Sequence, residues 1–193
     1  MTGRVLVTGG AGGIGAAVVR RCREAGHAVA VIDLKPAPDA DQSVLADLAD
    51  PTETADALAA VLAAGPVTRL VNNAATVRPA TVRNQTLADA DAVHALNTRA
   101  PLQCLQALLP GMCAAGFGRV VNIASRAALG KPERSAYAGS KAALIAMTRV
   151  WALELGPHGI TANAVAPGPI RTDLFASANP PDDPRTAALI DAV

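Results

Sequence analysis

The stretch Arg4-Val-Leu-Val-Thr8-Gly9-Gly10-Ala11-Gly12-Gly13-Ile14-Gly15 decides the fold. Its first five residues form an unbroken apolar run, the pattern of a strand covered on both faces. The glycines that follow make a tight turn, and residues 13–25 then read as a helix. Gly26 closes that helix at the position where a left-handed residue is wanted.

Working outward, short strand-like runs alternate with longer helical patterns. Strands are expected at 28–33, 43–46, 70–71, 119–124 and 160–166, and helices at 51–64, 86–115 and 136–155. The helix from Pro51 is the best signalled. Asp50 is its N-cap, Pro51 its first residue, Glu53 is spaced for a capping box, and Gly65 follows its end. Regular alternation of this kind gives βαβ units and a doubly wound parallel sheet with helices on both faces, an α/β fold. No repeat or linker interrupts the chain, so residues 1–193 read as a single domain. The Asp33 to Ser43 connection is too short for a crossover helix and reads as a loop. After Pro167 the chain reads as irregular until a last short helix beyond Pro184.

Composition narrows the function classes. The chain of 193 residues is 51% hydrophobic and 17% charged, with a net charge of +1. Arginines and lysines are scattered rather than clustered, and only two Phe, one Trp and one Tyr are present, so no nucleic-acid surface is expected. The scarcity of aromatics also points to a small or aliphatic pocket. Cys22, Cys104 and Cys113 make no CxxC pair and read as reduced thiols. His27, His94 and His158 share no metal-ligand spacing, so no metal site is expected. No apolar run is long enough to span a bilayer. The first strand begins at Arg4, which leaves no room for a signal peptide, and a cytoplasmic protein is expected.

The glycine turn has a chemical use. Free N–H groups and the dipole at a helix N-terminus favour an anion, and glycines let a pyrophosphate approach the backbone. Gly9, Gly12, Gly13 and Ile14 are therefore candidate cofactor residues. Asp33, at the end of the second strand, is placed to accept hydrogen bonds from an adenosine ribose. A 2′-phosphate there would meet a carboxylate at a cost of roughly 1–4 kcal/mol per charge, so NAD is expected over NADP, with Lys35 close enough to soften the preference.

Tyr137 and Lys141 lie four apart in a helical segment and share one face. A phenol with a pKa near 10 is a poor base at neutral pH. An ammonium about 4–5 Å away is expected to favour the phenolate by roughly 3–4 kcal/mol and bring Tyr137 into the range useful for proton transfer. Pro101 lacks an N–H, so the carbonyl of Asn97, four residues back, loses its helical partner. A water bound at that carbonyl and an ordinary proline kink are both compatible with this spacing.

Taken together, Thr8-Gly9…Gly13-Ile14-Gly15, Asn72-Asn73-Ala74, Asn97, Ser125, Tyr137 with Lys141, and Pro167-Gly168 resemble the short-chain dehydrogenase/reductases of classical type. The similarity runs from about residue 4 to 173, in order. It implies a Rossmann-like fold and hydride transfer between a nicotinamide cofactor and a carbonyl or secondary-alcohol substrate. It also implies roles. Tyr137 is the general acid or base, Lys141 lowers its pKa and binds the nicotinamide ribose, Ser125 bonds the substrate oxygen, and Asn97 holds a relay water. Asp47 and Leu48 would lie near the adenine, Asn73, Ala74 and Ala75 would line the adenosine pocket, and Pro167, Gly168, Ile170 and Thr172 would cover the nicotinamide.

Departures accompany the resemblance. Ala75 stands where the family usually has glycine. The family's further helix and seventh strand are not reached by Val193, so the expectation is a domain truncated at its C-terminus, with the sixth strand at an edge. A non-catalytic cofactor-binding protein or inactive fragment is the competing reading. The helix at 136–155 is apolar on several faces, with Leu144, Met147, Trp151 and Leu155 on one stripe and Ile145, Val150 and Leu153 elsewhere. It is expected to join the helix carrying Leu102, Leu105, Leu108 and Leu109 in a homodimer or homotetramer interface. Arg78, Arg126 and Arg134 are read as surface residues that would favour an acidic substrate if they faced the pocket.

Overall fold

Six strands form one parallel sheet in the order β3-β2-β1-β4-β5-β6. They are β1 (Arg4–Thr8), β2 (Ala28–Asp33), β3 (Gln42–Leu45), β4 (Arg69–Asn72), β5 (Gly118–Ile123) and β6 (Ile160–Val165). This computed structural model describes residues 3–179 and Thr186. Val5 to Thr8 is buried throughout, as the unbroken apolar run of β1 requires. β1 sits between β2 and β4, with Val5 opposite Val29 on one side and Arg69 on the other. The strand order reverses at β1, and at such a switch point a crevice opens beyond the carboxyl ends of the strands.

Alternation along the strands divides the core. On one face Leu6, Leu70, Val120 and Ile160 pack with α2 (Pro51–Ala63), α4 (Ala100–Ala114) and α5 (Ser135–Leu155) through Leu58, Leu108, Leu144 and Trp151. On the other, Val5, Val7, Val29 and Val31 pack with Val19 of α1 (Gly13–Glu24). Gly26 has φ +79°, the left-handed conformation that stops α1. The Asp50 carboxylate caps α2 by accepting from the N–H groups of Thr52 and Glu53. Glu53 departs from the expected box: its Oε2 reaches back to the Asp47 N–H at 2.8 Å, three residues before the cap.

A polar ladder crosses the larger core. Asn72 Nδ2 donates to Asn122 Oδ1, Asn122 Nδ2 donates to Thr148 Oγ1, and Thr148 Oγ1 donates to the Leu144 carbonyl. This ties β4 to β5 and β5 to α5 with buried side chains only. Removing its middle member strands polar atoms on both neighbours and leaves a small void. Asn122→Ala is therefore expected to destabilise the domain by about 3 kcal/mol. Urea denaturation measures this; a loss below about 0.5 kcal/mol would show that the ladder contributes nothing.

Three expectations need correction. The 86–115 helix is three pieces: α3 (Leu87–His94), a π-helical turn (Ala95–Arg99) and α4. In that turn the Ala100 N–H bonds to the Ala95 carbonyl, five residues back, so the wide turn falls just before Pro101 and accommodates it in place of a sharp kink. Leu105 and Leu108 of α4 belong to the sheet-facing core, so they are not part of an outer interface; Val150 and Leu153 of α5 do face outward, at 49% and 80% exposure. The segment after Pro167 is not irregular throughout. It forms α6 (Asp173–Ala178), capped by Thr172, whose Oγ1 accepts from the Phe175 N–H. The last short helix expected after Pro184 falls, Thr186 apart, outside the described residues.

Candidate active site

The carboxyl ends of β1, β2, β4, β5 and β6 bring most of the expected residues to one edge of the sheet. The glycine turn is fastened there by the protein itself. Gly9 has φ +66°, and a Cβ on it would lie 2.8 Å from Ala74 Cα. Asn73 Nδ2 donates to the carbonyls of Gly9 and Thr8, and Thr8 Oγ1 accepts from the N–H groups of Asn73 and Ala74. Asp33 Oδ2 accepts from the Ala11 N–H at 2.9 Å, and its Oδ1 accepts from the Lys35 N–H. Asp33 thus shapes the turn, with both carboxylate oxygens accepting from main-chain N–H groups.

The glycines are needed for different reasons. Gly13 has φ +52°, and a Cβ at Gly15 would lie 2.0 Å from the Gly9 oxygen. Gly12 is extended, with φ −156°, and a Cβ there would meet nothing within 4 Å. Packing does not demand glycine at that position. The space lies beside the unpaired N–H groups of the first turn of α1, where a pyrophosphate would use it. The residues present therefore fit a nicotinamide dinucleotide.

A cleft of about 200 Å3 opens farther along the edge. Ser125 lines it from just after β5 and Tyr137 and Lys141 from α5, and Pro167, Gly168, Ile170 and Thr172 line it after β6. Ile14, Asn73 and Ala75 join it from the nucleotide side. Ser125 caps a short 3-10 turn (Arg126–Leu129), its Oγ accepting from the Ala127 N–H. Lys141 Nζ donates to the Ile123 carbonyl at 2.7 Å and lies 5.8 Å from the centre of the Tyr137 ring.

The electrostatics differ from the expected pairing. Burial pushes the Tyr137 phenol above its ordinary value, while a hydrogen bond with Ser125 and the Arg134 guanidinium act in the opposite direction. Burial lowers the Lys141 ammonium itself from 10.5 to about 8, because desolvation disfavours its charged form. The expected downward shift is outweighed by burial of the phenol; the ammonium lies over the ring and donates to the Ile123 carbonyl. A base whose folded pKa is depressed binds fewer protons folded than unfolded between the two values. Stability therefore carries the full burial penalty below about pH 8 and rises from there toward pH 10.5. Lys141→Met is expected to flatten this rise in chemical-denaturation curves; an unchanged slope would show that Lys141 is not its source.

Not every expected residue reaches the cleft. Asn97 is fully buried outside it: Oδ1 accepts from the Thr76 N–H, and Nδ2 donates to the Thr76 carbonyl and to Ser140 Oγ. Ser140 Oγ in turn donates to the Tyr137 carbonyl at 2.7 Å. Asn97 thus reaches Tyr137 through Ser140, a link that sequence reasoning missed. Its one signal was a serine three residues after the tyrosine, spaced to bond back along the helix. Leu48 packs its side chain into the core, so only its main chain is available to a ligand, while Asp47 is exposed. Of the three arginines considered for the pocket, Arg126 and Arg134 line it; Arg78 does not, and lies 3.8 Å from Asp89 instead. Lys131, unanticipated, also lines the cleft. Among the described residues no three His, Cys, Asp or Glu side chains converge, and no helix is long and apolar enough to cross a membrane.

Comparison with known proteins agrees with this geometry. Residues 3–183 match the family model described as short chain dehydrogenase. An L-xylulose reductase from Bos taurus is 37% identical over 98% of this chain and 80% of its own. Among solved structures, a blue fluorescent protein from a metagenomic library in complex with NADPH superposes with a TM-score of 0.86 at 36% identity, covering 99% of this chain and 82% of its own. A protein from Beutenbergia cavernae described as a putative NAD(P)-dependent gluconate 5-dehydrogenase, with NADP bound at low occupancy, gives 0.90 at 31% identity, over 98% and 80%. A 3-ketoacyl-(acyl-carrier-protein) reductase from Brucella melitensis with NADH gives 0.85 at 25% identity, over 90% and 78%.

Proposed function

Because the chain belongs to the short-chain dehydrogenase family, we propose that Tyr137 is the proton donor and acceptor of its reaction, with Ser125 holding the substrate oxygen. The protein is an NAD(P)-dependent oxidoreductase acting on CH–OH groups. Its bound nicotinamide supplies or accepts the hydride. The observation that carries the assignment is the meeting of Ser125, Tyr137 and Lys141 in one cleft, between the glycine turn and the Pro167–Thr172 segment.

The division of labour follows from the residues. The Ser125 hydroxyl, fixed by its own turn, bonds both the substrate oxygen and the phenol. Tyr137, held protonated by burial, gives its proton to a carbonyl oxygen in reduction and recovers it in oxidation. Lys141, lowered by burial to about 8 and still protonated at neutral pH, is a donor that either the Ile123 carbonyl or a ribose hydroxyl can accept from. Asn97 and Ser140 hold the Tyr137 main chain in place. These residues together give no support to a non-catalytic cofactor binder. The outward Val150 and Leu153 of α5 support self-association into a homo-oligomer, which sedimentation at micromolar concentration tests.

For the cofactor we favour NAD over NADP, on the charge of Asp33 at the end of β2; the neighbours above were solved with NADP, NADPH or NADH. Parallel fluorescence titrations with NADH and NADPH test this. Asp33→Asn keeps an acceptor for the Ala11 N–H and removes the charge, so it is expected to narrow the NADH preference by about tenfold. Equal affinity of the unaltered protein for both cofactors would end the assignment.

A further inference from the structure

The helix that carries Tyr137 and Lys141 is entered unlike its neighbours. α2, α3 and α6 each start under a side-chain cap, from Asp50, Thr86 and Thr172. α5 has none: the residue before it is Arg134, and an arginine side chain has no acceptor to offer a helix N–H.

Backbone geometry fixes this entry instead. Glu133 has φ +60°, the one non-glycine in the left-handed region among the described residues. Arg134 follows at φ −134° and ψ 29°, outside both the helical and the strand regions. Such conformations persist where the surrounding structure imposes them, and they gather at sites where the strain has a use. The Glu133 carbonyl accepts from the Ala80 N–H and from Arg134 Nη1, both at 3.0 Å. Ala80 and Arg134 form an isolated parallel bridge, and the Arg134 carbonyl accepts from the Ala138 N–H. The strained pair therefore lies between a tie to another loop and the turn of α5 that bears Tyr137.

A second tie reaches that turn from the same loop. Asn97 bonds both main-chain groups of Thr76 and, through Ser140 Oγ, the Tyr137 carbonyl. Asn97 and Ser140 are fully buried. Residues 76–80 thus grip the first turns of α5 at two points, and Val77 between them lines the cleft with Tyr137. With the Tyr137 carbonyl held by Ser140, a change of backbone at Glu133 has to be absorbed by tilting the first turn, which carries the phenol with it. A misplacement of about 1 Å at a reacting group costs up to about 10²-fold in rate.

We propose that Glu133 is a positioning residue for Tyr137: its left-handed backbone and its tie to Ala80 set the angle at which α5 enters, and so the place of the phenol in the cleft. The proposal deepens the oxidoreductase reading and rests on it. The backbone conformation at Glu133, not its carboxylate, does the positioning.

The test varies the two ends of the tie. Isoleucine resists the left-handed region, glycine and asparagine accept it, and glutamine keeps the strain while removing the charge. Ala80→Pro deletes the N–H that holds the Glu133 carbonyl. NADH-dependent reduction is followed on butan-2-one, cyclohexanone and ethyl acetoacetate, with NADH binding measured by fluorescence titration and folding by thermal melts. Glu133→Ile and Ala80→Pro are each expected to lower kcat about tenfold or more, with KM and NADH binding within about threefold. Glu133→Gly, Glu133→Asn and Glu133→Gln are expected to keep kcat within about threefold. Should Glu133→Ile fail to fold, Ala80→Pro decides. Unchanged kcat in the folded variants overturns the proposal. So does an equal loss in all four Glu133 variants, which would assign the effect to the carboxylate, and so does a loss confined to KM or to NADH binding. Turnover that survives both Glu133→Ile and Ala80→Pro sinks the proposal alone. An unaltered protein that binds NADH and reduces none of the ketones sinks the oxidoreductase reading, and the proposal with it.

Discussion

Replacing Tyr137 with Phe lowers turnover by about 10²–10⁴-fold while NADH binds as before, the loss characteristic of a missing general acid or base. The substitution removes one oxygen from a side chain that is otherwise packed in the cleft wall, so the fold has little reason to respond. Near-normal turnover would take Tyr137 out of the mechanism. The direction of the pKa displacement adds a second readout. Burial holds the phenol above its ordinary value, so the protonated form predominates through neutral pH. Carbonyl reduction is therefore expected to vary little between about pH 6 and 8, and alcohol oxidation to rise with pH by up to about tenfold per unit while the phenolate fraction grows. An oxidation rate flat from pH 6 to 9 would mean that the proton leaves by another group.

The second large effect separates two glycines of one turn. Gly15→Ala forces a methyl to within 2.0 Å of the Gly9 oxygen and 2.6 Å of Asn73 Nδ2, and both are fixed by other bonds. The backbone has to move, at about 3 kcal/mol, or roughly 6–12 °C in Tm for a domain of this size. Gly12→Ala puts the same methyl into open space on an extended backbone. Its stability stays within about 0.5 kcal/mol, yet the methyl occupies the approach to the α1 N-terminus and is expected to weaken NADH binding by tenfold or more. If Gly12→Ala binds NADH normally, the pyrophosphate does not lie there; if Gly15→Ala melts normally, the turn is softer than its bonds imply.

The contrast shows what was legible in the sequence. β1, the glycine turn and the Asp50 cap could be read because strand burial, left-handed turns and N-caps are local, each set by a few adjacent residues. The doubly wound parallel sheet followed from the alternation, Tyr137 and Lys141 were paired by their spacing, and Ser125 came from the family resemblance. What sequence left dark was set by the third dimension. Arg78 and Arg126 look alike in a string, but one lies near Asp89 and the other lines the cleft. Lys141 was expected to draw the Tyr137 phenol down, and burial of that phenol pushes it up instead. Ser140 was passed over because its value lies in Asn97, 43 residues earlier, brought to it only by the packing of the π-helical turn against α5. Glu53 found Asp47 rather than its own cap because the chain turns back before α2.

The turn after β1 is bolted down by bonds internal to the protein: Asp33 to Ala11, Asn73 to Gly9, and Thr8 to Asn73 and Ala74. Its ordering entropy is settled when the chain folds, not when a nucleotide arrives. Capture is then docking onto a finished surface, with an encounter rate governed by diffusion and orientation rather than by a closing step. Differences in affinity among nucleotides are carried by how slowly each one leaves.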